Sequence, residues 1–281
     1  MIEIEEIEKI IKAIYDVSGY DFSEYSKKSF SRRIEKILED NSLSTTGLIK
    51  KIRKSEKEYI EYLIENITVN TTEFFRSPPI WHSLKYRILS KYNDAQKIDI
   101  WHAGASTGKE VYSMAMLLNE MNLLEKAHIY ASDINSKALE KAQKGVYNYS
   151  LNVEYLQNFD EVLRKNPYNF EEYYDIPYSK YFDIDQEKDI LKVKDFLKKN
   201  ITFKKQDFVK RENIFYKKFD IIMCRNVLIY FNLSLQSKLI KFFYNNLNFP
   251  GYLILGFHES ILGNEAAKFH KKHLYYSKKL I

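Results

Sequence analysis

Apolar residues recur every three or four positions through the first seventy residues: Ile4, Ile7, Ile11 and Ile14 before Gly19, then Phe30, Ile34, Ile37 and Leu38, then Tyr59, Ile60, Leu63, Ile64 and Ile67. That period is the signature of helices with one buried face. No strand candidate interrupts it, so residues 1–75 are expected to form a small N-terminal all-α domain. Pro78 and Pro79 break the pattern, and "SPPIW" reads as the start of a linker, with a linker helix expected over residues 76–97.

From Ile98 onward the rhythm changes. Short apolar runs alternate with amphipathic ones: "KIDIWHA", a helix from about Glu110, "AHIYASD", a helix over "SKALEKAQKG", then "NITFKKQDF", "FDIIMCRN", the helix "SLQSKLIKFFYNNL" and "YLILGFH". Strands alternating with helices predict an α/β fold with a parallel, doubly wound sheet over residues 98–281. The last two strand candidates, "YLILGFH" and "HLYYSKKL", are too close for a helical crossover and are expected to pair antiparallel. Residues 148–200 break the alternation with an acidic, tyrosine-rich stretch too long for a simple loop. It reads as an insertion with a small antiparallel piece near "KYFDID" and "DILKVKDF".

Composition narrows the class. The chain has 281 residues, 45% of them hydrophobic, enough for a substantial core. No long uncharged apolar run occurs and "MIEIEEIEKIIK" is an acidic helix rather than a basic leader, so no membrane insertion and a cytoplasmic location are expected. Cys224 is the only cysteine, and His270 and His273 sit in a lysine-rich segment without a third ligand, so no metal site is expected. The net charge of +6 conceals an asymmetry: residues 154–189 carry ten acids against four bases, leaving +12 on the remainder. Part of that excess is the cluster Lys27, Lys28, Arg32, Arg33 and Lys36, a candidate surface for an acidic partner or simply a solvated helix face.

The chemistry concentrates in "AGASTGKE". A strand ending in Gly104, a turn and a helix beginning just after Gly108 is the usual way a backbone meets a nucleotide. A phosphate-binding loop requires Ser or Thr after the lysine, and Glu110 stands there instead. A dinucleotide site requires a middle glycine that is missing. S-adenosylmethionine carries no phosphate and a net positive charge, so an acid beside the turn is compatible with it. Asp133, 25 residues after Gly108 at the end of the next strand, is placed to accept both ribose hydroxyls. Asp207, ending the strand after that, is placed to accept from the adenine amine. The fourth strand ends in Arg225 and Asn226, without the Asn/Asp-Pro-Pro-aromatic signature of adenine methylation. Cys224 reads as a packed strand residue.

These motifs, with "NTTEFFR" at residues 70–76, "ASDINSKALEKAQKGVY" at 131–147, "CRNVLIYF" at 224–231 and "GYLILGFHES" at 251–260, resemble the CheR family of chemotaxis receptor methyltransferases over nearly the whole chain. The resemblance implies a Rossmann-like class I S-adenosylmethionine-dependent methyltransferase sheet with a C-terminal antiparallel hairpin. It implies protein-glutamate O-methylation of methyl-accepting chemotaxis receptors, with S-adenosylhomocysteine as product. It assigns cofactor contacts to Asn70, Thr72, Arg76, Gly104, Glu110, Asp133, Asp207, Phe208, Arg225 and Asn226. It places Tyr230 beside the transferred methyl and implicates Arg87, and the chemistry of carboxylate methylation makes Arg225 or Arg87 the expected holder of the second carboxylate oxygen. The helix with Arg32, Arg33 and Lys36 resembles the receptor-facing helix, and the insertion resembles a subdomain that docks a receptor tail.

Two departures stand out: Lys109 replaces an acid of the usual G-E-E-P-Y-S, and Gly256-Phe257-His258-Glu259 replaces G-H-S-E. The competing readings are a cofactor sensor that transfers no methyl group and a nucleic-acid methyltransferase using the basic surface. With no apolar seam evident, a monomer is expected.

Overall fold

The computed structural model describes residues 2–54 and 57–280. Met1, Ser55, Glu56 and Ile281 lie outside them, as does the Lys57 side chain.

Four helices build the N-terminal part: α1 (Ile4–Ser18), α2 (Lys27–Asp40), α3 (Thr45–Arg53) and α4 (Lys57–Ile67). Gly19 ends α1 in the left-handed conformation that glycine adopts freely, at φ +73°. Ser44 caps α3 by accepting the Gly47 amide at 3.1 Å. The buried stripe of α1 is Ile7, Ile10, Ala13 and Ile14, whereas Ile4 is 62% exposed. These residues pack on Phe30, Ile34, Ile37, Leu48, Ile60, Leu63 and Ile64 as one core.

The expected linker is more than a connector. After Ser77, helix α5 (Pro78–Ser83) runs through a π turn at Leu84–Ile88 into a 3-10 turn at Leu89–Tyr92. Ile80, Trp81, Leu84, Ile88 and Leu89 join the core of the sheet. Proline opens this helix because its absent N–H falls where no intrahelical partner is needed.

The sheet strands are β1 (Ile98–Ala103), β2 (Ala127–Asp133), β8 (Ile201–Lys205), β9 (Phe219–Cys224), β10 (Leu247–Leu255), β11 (Phe269–Lys271) and β12 (Tyr276–Lys278). Their order is β11-β12-β10-β9-β1-β2-β8. The five from β10 to β8 are parallel. β12 returns antiparallel on β10, with Leu253 opposite Tyr276, and β11 lies outside it. The strand pairing expected at the C-terminus therefore forms, with β11 as an additional short edge strand.

Alternate residues feed two cores. Ile98, Ile100, Ile129, Ile221, Met223 and Ile254 face helix α6 (Lys109–Glu120) and the α5 segment. Trp101, Ala103, Ile222, Cys224, Leu253 and Leu255 face helix α9 (Leu233–Asn246) through Leu235, Leu239, Ile240 and Phe243. Helix α7 (Ser136–Lys144), capped by Asn135, follows β2.

The insertion carries more structure than the single antiparallel pair expected. β6 (Phe182–Asp185) and β7 (Ile190–Val193) pair antiparallel, and β3 (Val146–Asn148) adds to β7 from directly behind α7. Between them stand the short helix α8 (Leu156–Phe159) and a hairpin of β4 (Lys165–Asn166) and β5 (Asn169–Tyr173).

Candidate active site

A cleft of about 1180 Å³, mouth included, opens at the carboxyl ends of β1, β2 and β9, with residues of α2 and the end of α4 on its far wall. Open α/β sheets bind ligands at this edge, where strand order reverses. Asn70, Thr72, Arg76, Gly104, Glu110, Asp133, Phe208, Arg225, Asn226 and Tyr230 all line it. Two expected residues do not. Arg87 is exposed on the π turn of Leu84–Ile88 and is not part of the lining. Asp207 turns its Oδ1 to the Val209 amide at 2.9 Å, capping the turn after β8, and only its neighbour Phe208 reaches the lining. The turn-former role common for a strand-ending aspartate applies to it.

The glycine turn is shaped by packing as much as by any ligand. Gly104 has φ +90°, and a Cβ there would stand 2.3 Å from the Val227 side chain. Gly108 has φ +84°, and a Cβ there would stand 2.7 Å from that of Ala142 on α7. Both glycines satisfy positive φ and close approach together. The turn leaves the Ser106 hydroxyl buried without a hydrogen-bond partner among the described residues.

Asp133 is the fixed acid of the cleft. Its Oδ2 accepts the Ser106 amide at 2.7 Å and its Oδ1 the Asn135 amide at 2.9 Å. Burial raises its pKa above the usual aspartate value, against the pull of these amides. Each oxygen keeps acceptor capacity beyond its one amide.

Glu110 does not present a free charge. Its Oε2 takes the Arg225 Nη1 at 2.9 Å and its Oε1 lies 2.9 Å from Nδ1 of the fully buried His102. Burial disfavours the carboxylate, but Arg225 and then His102 outweigh it and hold the pKa below the ordinary glutamate value. The Arg225 side chain is 1% exposed, donates Nη2 to the Arg76 carbonyl at 2.6 Å and lies 5.7 Å from the Trp81 ring centre. Its Nη1 and Nη2 are thus taken by the protein, which opposes the expected role as a clamp for a substrate carboxylate, while its buried Nε has no partner among the described residues. Through Nη1, Nη2 and its place over the Trp81 ring, Arg225 ties the Glu110 helix, the "FFR" segment and α5 together. His102 escaped the sequence reading because nothing local distinguishes it from a packed strand residue.

Arg76 is different, with a side chain 37% exposed at the cleft and only a 3.9 Å contact to Glu73. Tyr230 is half-buried on the 3-10 turn Leu228–Tyr230. Burial raises its pKa, opposed by Arg33, Arg76 and Arg32, and the net shift is upward. The turn is held by Glu259, whose carboxylate accepts the amides of Asn226 at 2.7 Å, Gly256 at 2.7 Å and Ile229 at 3.3 Å. Asn226 sits at φ +58°, a conformation asparagine tolerates. Glu259 was legible only as part of the altered G-H-S-E motif, and here it is the acceptor that shapes the loop.

Lys109 gives its departure a structural meaning. Its Nζ donates to the Thr72 carbonyl at 2.9 Å and lies over the rings of Tyr147 and Tyr155. Burial, with Lys141 adding repulsion, lowers its pKa to about 8. On α2, Arg32 and Lys36 are exposed, whereas Arg33 is partly buried and its Nε has no partner among the described residues.

The site's polar groups suit a nucleoside with a zwitterionic tail: an acid with spare acceptor capacity, a buried hydroxyl at Ser106 and, among the described residues, no free cationic cradle for phosphates at the helix start, where Lys109 is taken by the Thr72 carbonyl. Sheet order, glycine turn and strand-end acid together define an S-adenosylmethionine-dependent methyltransferase of class I. Residues 70–276 match the family described as CheR methyltransferase, SAM binding domain, and residues 5–68 match the CheR methyltransferase all-alpha domain. The chain belongs to the CheR methyltransferase family. It is 33% identical to the Pseudomonas putida protein named as methyltransferase Cher3, over 91% of this chain and 89% of that one. It is 32% identical to the chemotaxis protein methyltransferase of Borreliella burgdorferi, over 93% and 90%. It is also 32% identical to chemotaxis protein methyltransferase 1 of Vibrio cholerae, over 71% and 68%. Among the described residues, no helix is long and apolar enough to cross a membrane.

Proposed function

We propose that this protein methylates glutamate side chains in the cytoplasmic domains of chemotaxis receptors, forming methyl esters that adapt sensory signalling. The observation that carries the reading is the convergence, in one cleft, of Asp133 with the "NTTEFFR" segment and the turn bearing Tyr230. The chemotaxis names of the relatives support the substrate class.

S-adenosylmethionine bound there supplies a methyl group carried on a sulfonium cation. Asp133 would hold the ribose, the Gly104–Ser106 turn and Phe208 would flank the nucleoside, and Asn70, Thr72 and Asn226 would meet the methionyl end. Glu110 shapes this wall as half of an ion pair. A substrate glutamate, with an ordinary pKa of about 4.3, is already ionised at neutral pH and needs no general base. What the chain contributes is positioning. Arg76 offers a charge to the incoming carboxylate. The Tyr230 hydroxyl, kept protonated by its raised pKa, donates a hydrogen bond that orients the carboxylate. Arg32 and Lys36 would steer an acidic receptor surface toward the cleft.

The test is incorporation of label from the methyl-labelled donor into receptor-containing membranes, followed by mild alkali. A carboxyl ester releases volatile methanol, which is the expected result. Alkali-stable label would identify N-methylation, and no incorporation would identify a sensor; either outcome ends this reading.

A further inference from the structure

The cleft has a second wall, built by the helical part of the chain rather than by the five motifs. Residues 24–26 run beside residues 230–232. Asn232 donates its amide to the Glu24 carbonyl at 2.9 Å and Ser26 donates its amide to the Tyr230 carbonyl at 2.8 Å. Between these bonds Tyr25 and Phe231 form an antiparallel bridge. The Glu24 carboxylate anchors the strap on α9, taking Lys238 Nζ at 2.6 Å and the Ser234 hydroxyl at 3.2 Å.

This framework holds the Tyr25 ring tightly. It packs 4.7 Å from Phe22 and edge-on at 4.9 Å to Phe231, and it lines the cleft together with Ser29 and Phe30 of α2. Burial, then the carboxylates of Asp207 and Asp133, raise its pKa far above the ordinary tyrosine value. The hydroxyl therefore stays a neutral donor. It makes no hydrogen bond within the described residues. A half-buried tyrosine that lines a ligand cleft has its hydroxyl open to a partner supplied by the ligand. Tyr25 lines the cleft together with Asp133, Ile134 and Phe208 and packs against the same apolar clusters as Phe208 and Ile134, and under the proposed reading Asp133 holds the sugar. The vacant donor thus faces the nucleoside half of the site.

We propose that Tyr25 is a cofactor-binding residue whose hydroxyl donates a hydrogen bond to the adenosine half of S-adenosylmethionine, so that the helical domain completes the nucleoside pocket. This rests on the reading of the cleft as the S-adenosylmethionine site.

The experiment is calorimetric titration of the full chain and its Tyr25→Phe variant with S-adenosylhomocysteine and, separately, with 5′-methylthioadenosine, which lacks the amino-acid tail. Tyr25→Phe keeps both ring contacts, so its melting temperature without ligand should match the parent. Loss of one net hydrogen bond predicts that Kd rises about 5- to 10-fold, by the same factor for both ligands. A parent that binds both ligands, with a variant that binds them within about twofold of it, overturns this inference alone. Weakening confined to S-adenosylhomocysteine also overturns it, by placing the hydroxyl at the tail. A parent that binds neither ligand overturns the cofactor site itself.

Discussion

Glu110 and Arg225, 115 residues apart in the chain, meet at 2.9 Å with the arginine side chain 1% exposed. A pair of this kind is costly to break from one side, because the Glu110 carboxylate left behind is 17% exposed and only partly reached by solvent. Arg225→Met alone should destabilise the protein by about 3–5 kcal/mol. Adding Glu110→Gln should recover part of that loss, since the stranded carboxylate is removed. Thermal melts of the two singles and the double give the coupling. Strictly additive losses would show that the pair contributes nothing as a pair.

Asp133 has a native pKa raised above its ordinary 3.8, with burial the main cause. As pH falls, the native carboxyl therefore protonates earlier than an exposed aspartate, and the protonated form loses acceptor capacity for the ribose hydroxyls. Affinity for S-adenosylhomocysteine should be full at pH 7 and decline on acidification at a pH above 3.8. Titrations across the acid range, limited to conditions where the fold is intact by circular dichroism, locate the midpoint. An affinity that does not change across this range would remove Asp133 from the binding equilibrium, and a midpoint at or below 3.8 would show that burial does not raise its carboxyl.

Lys109 titrates in the opposite sense, with its native pKa lowered from 10.5 to about 8 by burial. The charged form is penalised in the folded state at neutral pH. That penalty lifts as pH rises from about 8 toward 10.5. The melting temperature of Lys109→Met relative to the parent should therefore be highest near pH 7 and fall between those two values. A difference independent of pH would mean that the ammonium is not desolvated.

Glu259 gathers three backbone amides of the turns around Asn226 and Gly256. Glu259→Ala leaves these donors without their acceptor and should cost about 1–3 kcal/mol. Because the same turn carries Tyr230, turnover should fall with it. Steady-state kinetics alongside melts would distinguish this from a purely structural loss, since Tyr230→Phe should lower turnover without changing the melting temperature.

At Gly104, Ala would place its Cβ 2.3 Å from Val227 Cγ2 at a φ of +90°. Gly104→Ala should destabilise strongly, and Val227→Ala in the same chain should restore only part of the loss. The steric clash is relieved, but the left-handed backbone still penalises a Cβ, by about 1 kcal/mol. Full restoration would show that φ is not a constraint there.

The parallel strands were legible because each is a short, largely apolar or β-branched run, and most are closed by a glycine or an acid, as at Gly104, Asp133 and Gly256, a signal contained within ten residues. The helix faces of α2 and α4 were legible for the same reason. α1 was harder: Ile4 keeps the period but falls beyond the reach of the core, while Ile10 takes its place. Trp81 lay beside two prolines that advertise a break, and only the tertiary structure places its indole in the core, donating to the Arg76 carbonyl at 3.0 Å. The site divides along similar lines. Asp133 was singled out by its distance from the glycine turn, and it lines the cleft. Asp207 satisfied the same spacing logic, yet a local amide claims it. The ties from Arg225 to Glu110, from Glu259 to Asn226 and from Ser26 to Tyr230 join segments that no local period relates.

The hydrogen bond from Ser26 to Tyr230 also bears on how such proteins diversify. A recombination event that joins the helical half of one relative to the sheet of another would replace one side of this junction and keep the other. The backbone bond would survive such an exchange, but the edge-on packing of Tyr25 on Phe231 depends on both side chains, so changes at 25 should be matched by changes at 231.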